Sequence, residues 1–107
     1  MDFSLSTDAS PPEAVVTAAG ELDIFTAMQL SERLQDVIDV GCRRVQLDLA
    51  GVTFADAAAL RVLDRFHRQL TAMAGTLSVV SWSPPLLRLC RITGLDTRFG
   101  ISDPVAS

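Results

Sequence analysis

Two aspartates stand at junctions between strand-like and helix-like segments of the sequence. Asp23 ends the segment GELD at 20–23, and Asp56 follows the segment LDLAGVTFA at 47–55. Open α/β folds place their binding sites beside the carboxyl ends of their strands, so carboxylates that follow neighbouring parallel strands meet there. We therefore expect Asp23 and Asp56 to lie close together at one end of a sheet.

Two chemical roles are open to Asp56. As a phosphoaspartate it would need an acidic pair after an earlier strand and a lysine after a later one, and the chain contains no lysine. As the N-cap of the following helix, its carboxylate would accept hydrogen bonds from the amides of Ala58 or Ala59. The N-cap role needs no further residues, and the sequence favours it.

The other reactive side chains do not form a pattern typical of a catalytic or metal centre. His67 follows Asp64 at a spacing that brings two side chains together on a helix, but no serine or cysteine nucleophile stands beside them. Cys42 and Cys90 are far apart in the sequence, and we expect two free thiols. No glycine-rich phosphate loop is present. We expect a protein that is not an enzyme and that holds no metal or cofactor.

Small side chains dominate the corner between strand and helix around Asp56. They are Ala50, Gly51, Ala55, Ala57, Ala58 and Ala59. Such residues allow close packing of the helix on the sheet, and they equally allow close approach of a partner protein. Exposed apolar residues indicate an interface only when they are contiguous, so residue types alone leave both interpretations open.

Hydrophobic periodicity predicts the elements that position these residues. Strands are predicted at 2–7, 14–20, 43–49 and 76–82, with a final edge strand at 97–102. Helices are predicted from 24 to Gly41, from Ala57 to Gly75, and from Pro84 to Gly94 with Ser83 as N-cap. Their predicted apolar faces are Ala27, Leu30, Leu34, Val37 and Ile38; Leu60, Leu63, Phe66, Leu70 and Met73; and Leu86, Leu89 and Cys90.

The predicted order β-β-α-β-α-β-α-β indicates an α/β fold. Its mixed sheet of four or five strands is packed with helices and is largely parallel at the centre. The 107 residues suggest one domain over 1–107, with a frayed tail at about 103–107. Trp82, at the end of a strand, is equally compatible with partial exposure and with core burial.

Composition narrows the classes of function. The net charge is −4 and the nine basic residues, all arginines, are scattered, so we expect no nucleic-acid partner. Apolar runs are too short to cross a bilayer, and the acidic N-terminal segment is unlike a signal peptide, so we expect a cytoplasmic protein without membrane insertion. We expect a monomer, or at most a weak dimer.

Three segments in order resemble the STAS family, and within it the bacterial anti-sigma factor antagonists. They are GELD at 20–23, VQLDLAGVTFADAAALRVL at 45–63 and SPPLLRLCRITGLDTRF at 83–99. The likeness covers nearly the whole chain and implies the STAS fold. It also implies binding to an anti-sigma factor that is a serine kinase, which frees a sigma factor and so regulates transcription.

The resemblance also implies a phosphate switch. The kinase phosphorylates a serine in the first turn of the helix after the third strand, and the phosphorylated antagonist dissociates from the kinase. The family pattern Asp-Ser-Ser-Gly-Leu reads Asp-Ala-Ala-Ala-Leu at 56–60, so the phosphoacceptor position corresponds to Ala58, which has no hydroxyl. Thr53 is the nearest hydroxyl and a candidate substitute, although a structural role in the loop before the helix is favoured.

Ala58 leaves three explanations open. The chain binds its partner without a phosphate switch, or alanine was introduced in place of serine, or the chain is a STAS regulatory subunit of a lipid-transport ABC ATPase. In each case the resemblance implies a partner-binding surface around the N-terminus of the second helix. Arg61 is placed there to pair with an acidic group of the partner. The expected partner-binding residues are Asp23, Thr53, Asp56, Ala57, Ala58, Ala59 and Arg61.

Overall fold

The computed structural model of the chain describes residues 3–94, which fold into four strands and three helices. The strands are β1 (Ser4–Ser10), β2 (Glu13–Leu22), β3 (Arg44–Ala55) and β4 (Thr76–Trp82), and the helices are α1 (Ile24–Asp39), α2 (Ala57–Ala72) and α3 (Pro84–Thr93). The predicted α/β class and the element order up to the third helix are confirmed. The strand predicted at 97–102 lies outside the described residues.

The sheet follows chain order, β1-β2-β3-β4. β1 is antiparallel to β2, whereas the β2–β3 and β3–β4 pairs are parallel. Right-handed crossovers between strands in this order bring the connecting helices to the same face, and α1 and α2 contact each other. The carboxyl ends of β2 and β3 therefore lie together, each followed at once by a helix.

The core contains the alternate residues of the strands and the apolar faces of the helices. All five residues predicted to face inward from α1 are buried, and so are Leu60, Leu63, Phe66 and Leu70 of α2. The prediction for Met73 is wrong: its side chain is 38% exposed, because α2 ends at Ala72 and Met73 is the C-cap.

The residues predicted to end the second helix and to cap the third play different roles from those expected. The left-handed residue after α2 is Ala74 (φ 60°) and not Gly75, whose Cβ would overlap the carbonyl oxygen of Arg43. Ser83 does precede α3, but its hydroxyl makes no capping bond and has no hydrogen-bond partner among the described residues. Pro84 and Pro85 occupy the first two helical positions, and Pro85 lacks one of the two N–H groups that an N-cap side chain can bind.

Several other predictions can be compared with residues 3–94. Cys42 and Cys90 are free and buried, as expected. Trp82 is half-buried and packs against the core, so both interpretations were partly right. No helix in this range is long and apolar enough to cross a bilayer. No group of three or more His, Cys, Asp or Glu side chains there is placed to hold a metal ion.

Candidate functional site

β2 and β3 end side by side, and this brings the two aspartates to one end of the sheet. Leu22 pairs with Ala55 in the parallel ladder, and the Asp56 amide donates to the Leu22 carbonyl at 3.3 Å. Asp23 and Asp56 are the next residues of their strands and begin α1 and α2. The prediction that they share one end of the sheet is confirmed.

Asp23 is the N-cap of α1, a role that the sequence analysis did not assign. Its Oδ1 accepts from the amides of Phe25 (2.9 Å) and Thr26 (3.0 Å), and the Asp23 amide donates to Thr26 Oγ1 (2.9 Å). This reciprocal pair is a capping box, and the Asp-x-x-Thr spacing was its signal in the sequence. The bond from the Thr26 amide is the main cause that lowers the pKa of Asp23 below its ordinary 3.8.

The lowered pKa of Asp23 predicts how its cap depends on pH. A carboxyl whose pKa is lower in the folded chain stabilises the fold above its unfolded pKa, and this contribution disappears as the pH falls through the folded pKa. We expect wild type to be more stable than Asp23→Asn at pH 6, and this advantage to vanish as the pH falls from 3.8 downwards. Urea unfolding of both proteins over this range measures the difference, and an advantage that is independent of pH would contradict the charged cap.

Asp56 caps α2, as the sequence predicted. Its Oδ1 accepts from the Ala58 amide at 2.9 Å, and the Ala59 amide donates to the Asp56 carbonyl at 3.1 Å. The first turn of α2 is therefore held by one carboxylate and otherwise carries only methyl side chains. A helix N-terminus has unpaired amides and a partial positive charge, and the Asp56 carboxylate satisfies one of these amides and offsets part of this charge.

Removing the Asp56 cap will weaken the fold without touching the core. We expect Asp56→Ala to lower the free energy of unfolding by about 1 kcal/mol, because the Ala58 amide loses its acceptor. Asp56→Asn keeps an acceptor oxygen at the same position and should lose much less. Chemical unfolding of the three proteins tests this prediction, and equal stability of wild type and Asp56→Ala would contradict the capping role.

The three alanines that begin α2 lie at different depths. Ala57 is exposed and Ala58 is half-buried, whereas Ala59 is 0% exposed and belongs to the core. Gly51 is also small for a packing reason, since a Cβ there would lie 2.8 Å from the Ala19 Cβ. Close packing therefore explains Ala59 and Gly51, and of the three alanines that begin α2 only Ala57 and Ala58 are open to a partner.

Thr53 and Arg61 precede and follow these alanines in the sequence. Thr53 is exposed but lies within β3, so the prediction of a loop there is wrong. The strand continues to Ala55 through shifts in register with β2, which break the alternation of the sequence after Leu49. Arg61 is exposed on α2 and forms no ion pair with any residue between 3 and 94.

Exposed apolar side chains lie near the corner and were not among the predicted site residues. On α1, Ile24 is 58%, Phe25 73% and Met28 59% exposed, and Phe54 at the end of β3 is 48% exposed. Their signal was present, because Ile24, Phe25 and Met28 fall outside the stripe of buried residues on α1. These large apolar side chains indicate a contact surface more directly than the small alanines do.

A groove runs between α1 and α2 from the corner outward. It has a volume of about 270 Å³ and is lined mainly by apolar and cationic side chains. We call it the α1/α2 groove, and its lining residues are Ile24, Ala27, Met28, Ser31, Ala58, Arg61, Val62 and Arg65. Ala58 thus belongs both to the corner and to the groove.

Comparison with known proteins places this architecture in a family. The family model described as "Mlab, STAS domain" matches residues 5–102. The chain belongs to the STAS domain family. Among its relatives, the "Anti-sigma-B factor antagonist" of Bacillus subtilis is 28% identical over 102 residues, which cover 95% of this chain and 93% of the relative. The protein of the same name from Staphylococcus aureus is 27% identical over 95 residues, with 89% of this chain and 88% of the relative covered.

Solved structures share the fold of this STAS domain. An anti-sigma factor antagonist from Mycobacterium paratuberculosis has a TM-score of 0.81 at 26% identity, covering 92% of this chain and 83% of that one. The anti-sigma factor antagonist SpoIIAA in its unphosphorylated form has a TM-score of 0.75 at 18% identity, covering 94% and 100%. The second similarity shows the fold alone.

Within this STAS domain, the predicted site residues form one neighbourhood with one exception. Asp23, Thr53, Asp56, Ala57, Ala58 and Arg61 lie at the ends of β2 and β3 or in the first turns of the helices that follow. Ala59 is adjacent in sequence but buried, so it supports the surface from below. We call the six surface residues the α2 corner. Asp64 and His67 lie further along α2, and Asp64 pairs with Arg68 at 3.2 Å.

Proposed function

We propose that this chain is an anti-sigma factor antagonist, a protein that binds an anti-sigma factor and so releases a sigma factor to direct transcription. The observation that carries the proposal is similarity over almost the full length to relatives named for that activity. In this proposal the chain is a cytoplasmic binding protein with no enzymatic activity. Its partner is an anti-sigma factor of the serine kinase type.

The α2 corner is the proposed binding surface. Its side chains are small at Ala57 and Ala58, which lets the backbone of a partner approach the start of α2. Asp23 and Asp56 are occupied by capping bonds and hold the first turns of α1 and α2 in place, respectively. Arg61 is an exposed cation without an ion pair in the described part of the chain, and it supplies a contact for an acidic group.

Ala58 is proposed to occupy the position at which the family's phosphate switch acts. Structures of SpoIIAA have been determined in a phosphorylated and an unphosphorylated form, so that relative does carry phosphate. Residue 58 of this chain has no hydroxyl to accept it. The proposed antagonist therefore stays competent to bind while its partner hydrolyses ATP.

Binding to purified anti-sigma factors tests this function. Each anti-sigma factor of the serine kinase type from the same genome is titrated with the chain by isothermal calorimetry, with and without ATP. We expect one of them to bind equally well in both conditions, and intact-mass spectrometry to find no added phosphate on the chain. If none binds, the proposal fails; if one binds and phosphorylates the chain, the unswitched form of the proposal fails.

The second candidate is a regulatory subunit of a lipid-transport ABC ATPase. It is favoured by Ala58 itself, because a subunit without a phosphate switch needs no hydroxyl at that position. The same titration with the purified ATP-binding subunit of each such transporter distinguishes the two candidates. Binding to an ATPase subunit and to no anti-sigma factor would replace the first proposal by the second.

A further inference from the structure

The α1/α2 groove is lined mainly by apolar side chains and by two arginines. Ala27, which is 2% exposed, lies at its base, and Ile24, Met28 and Val62 supply larger apolar side chains. Ile24 and Met28 are one helical turn apart and each is more than half exposed. Apolar side chains that stay this exposed beside a concave surface gain free energy when a partner covers them.

The charge of the groove is opposite to that of the chain. The net charge is −4, yet the groove is lined by two arginines and no acidic residue. Arg61 and Arg65 form no ion pair within residues 3–94, and Arg65 instead has its Cζ 5.0 Å from the ring centroid of Phe66. By contrast, Arg68 on the same helix is paired with Asp64. Two uncompensated cations at an apolar groove favour an acidic occupant.

The length of the groove suits a short helix. Its lining extends from Ile24 to Ser31 on α1 and from Ala58 to Arg65 on α2. Seven residue steps along a helix span about 10 Å, which is two helical turns. An amphipathic helix recognises such a groove with apolar side chains at spacings of three and four residues.

We propose that the α1/α2 groove binds an amphipathic helix of the anti-sigma factor, with its apolar face between Ile24, Met28 and Val62. An acidic side chain next to that face pairs with Arg61 and Arg65. This inference rests on the proposed function for the identity of the partner. It deepens that function, because the groove adds apolar contact area and a charge preference to the α2 corner, with Ala58 common to both surfaces.

A peptide titration tests the groove independently of any anti-sigma factor. The probe is an amphipathic peptide of about 14 residues, long enough to be partly helical, with leucines on one face and glutamates flanking them. A matched peptide carries lysine in place of each glutamate. Amide spectra of the 15N-labelled chain should shift around Met28, Val62 and Arg65, with the acidic peptide binding about tenfold more tightly than the basic one. Equal binding of the two peptides, shifts located elsewhere, or no shifts would overturn the inference.

Variants of the groove then test it against the anti-sigma factor that binds in calorimetry. Met28→Glu and Arg65→Glu lie outside the α2 corner, and each should weaken binding about tenfold by placing an anion in the groove. Arg88→Glu on α3 is the matched control, since Arg88 is exposed and does not line the groove, and it should bind like wild type. Circular dichroism checks that each variant is folded. Wild-type affinity for both groove variants would refute the groove while leaving the antagonist function intact, whereas failure of wild type to bind refutes that function.

Discussion

Replacing Ala58 by serine will make the chain a substrate of its anti-sigma factor and will cause the complex to dissociate when ATP is present. The substitution restores a hydroxyl in the first turn of α2, where the side chain is half-buried and the corner is otherwise unchanged. The start of a helix tolerates a phosphate locally, because its free amides and dipole favour negative charge. The fold should therefore survive phosphorylation.

Binding of the Ala58→Ser protein to the anti-sigma factor should be lost on phosphorylation. A phosphate adds about −1.5 to −2 charges at residue 58, next to the Asp56 carboxylate that caps the same turn and at the surface where the partner would pack. Like charges brought together at an interface cost several kcal/mol, so we expect the affinity to fall about a hundredfold or more. Calorimetry before and after incubation with ATP measures this change, and mass spectrometry locates the phosphate.

Ala57→Ser is the matched control for this experiment. It adds the same hydroxyl one residue earlier, at an exposed position that does not line the groove. We expect no switch in this variant. A phosphorylated Ala58→Ser protein that binds as tightly as wild type would contradict the assignment of residue 58 as the switch position.

Phe66→Ala will lower the free energy of unfolding by about 3–5 kcal/mol. Phe66 is 0% exposed and is among the largest fully buried side chains of the core, where it anchors α2. A domain of this size has a stability of about 5–15 kcal/mol, so the loss is a large part of the total. Guanidinium unfolding monitored by circular dichroism measures it.

Phe25→Ala is the control that separates burial from residue type. It removes the same side chain from a position that is 73% exposed, and the expected change in the free energy of unfolding is within about 0.5 kcal/mol. If Phe25 contacts the partner, this variant should lower affinity while leaving stability unchanged. Similar destabilisation by both substitutions would contradict the described core.

Sequence patterns predicted the elements whose periodicity is uninterrupted. The inner face of α1 was predicted completely, because its apolar residues recur at helical spacing from Ala27 to Ile38. The second half of β3 was not, because its register shifts against β2 and the segment after Leu49 no longer alternates. Ser83 occupies the N-cap position of α3 as predicted, but its hydroxyl makes no capping bond, and Pro85 removes one of the two amides that an N-cap side chain can bind.

The candidate site was predicted only in part. Asp23 and Asp56 were placed at one end of the sheet because both follow parallel strands, and this requires only the order of the elements. The α1/α2 groove depends on how two helices pack against each other, and no pattern within either helix specifies that. Ala59 shows the same limit, because its burial depends on where the core reaches the first turn of α2.

Sigma factor release is the most direct test of the central claim. The purified complex of the anti-sigma factor with its sigma factor is mixed with this chain, and free sigma factor is quantified by size-exclusion chromatography with and without ATP. We predict release of the sigma factor to the same extent in both conditions, because Ala58 cannot be phosphorylated. Absence of release in both conditions, or release that ATP abolishes, would contradict the proposal of an antagonist without a phosphate switch.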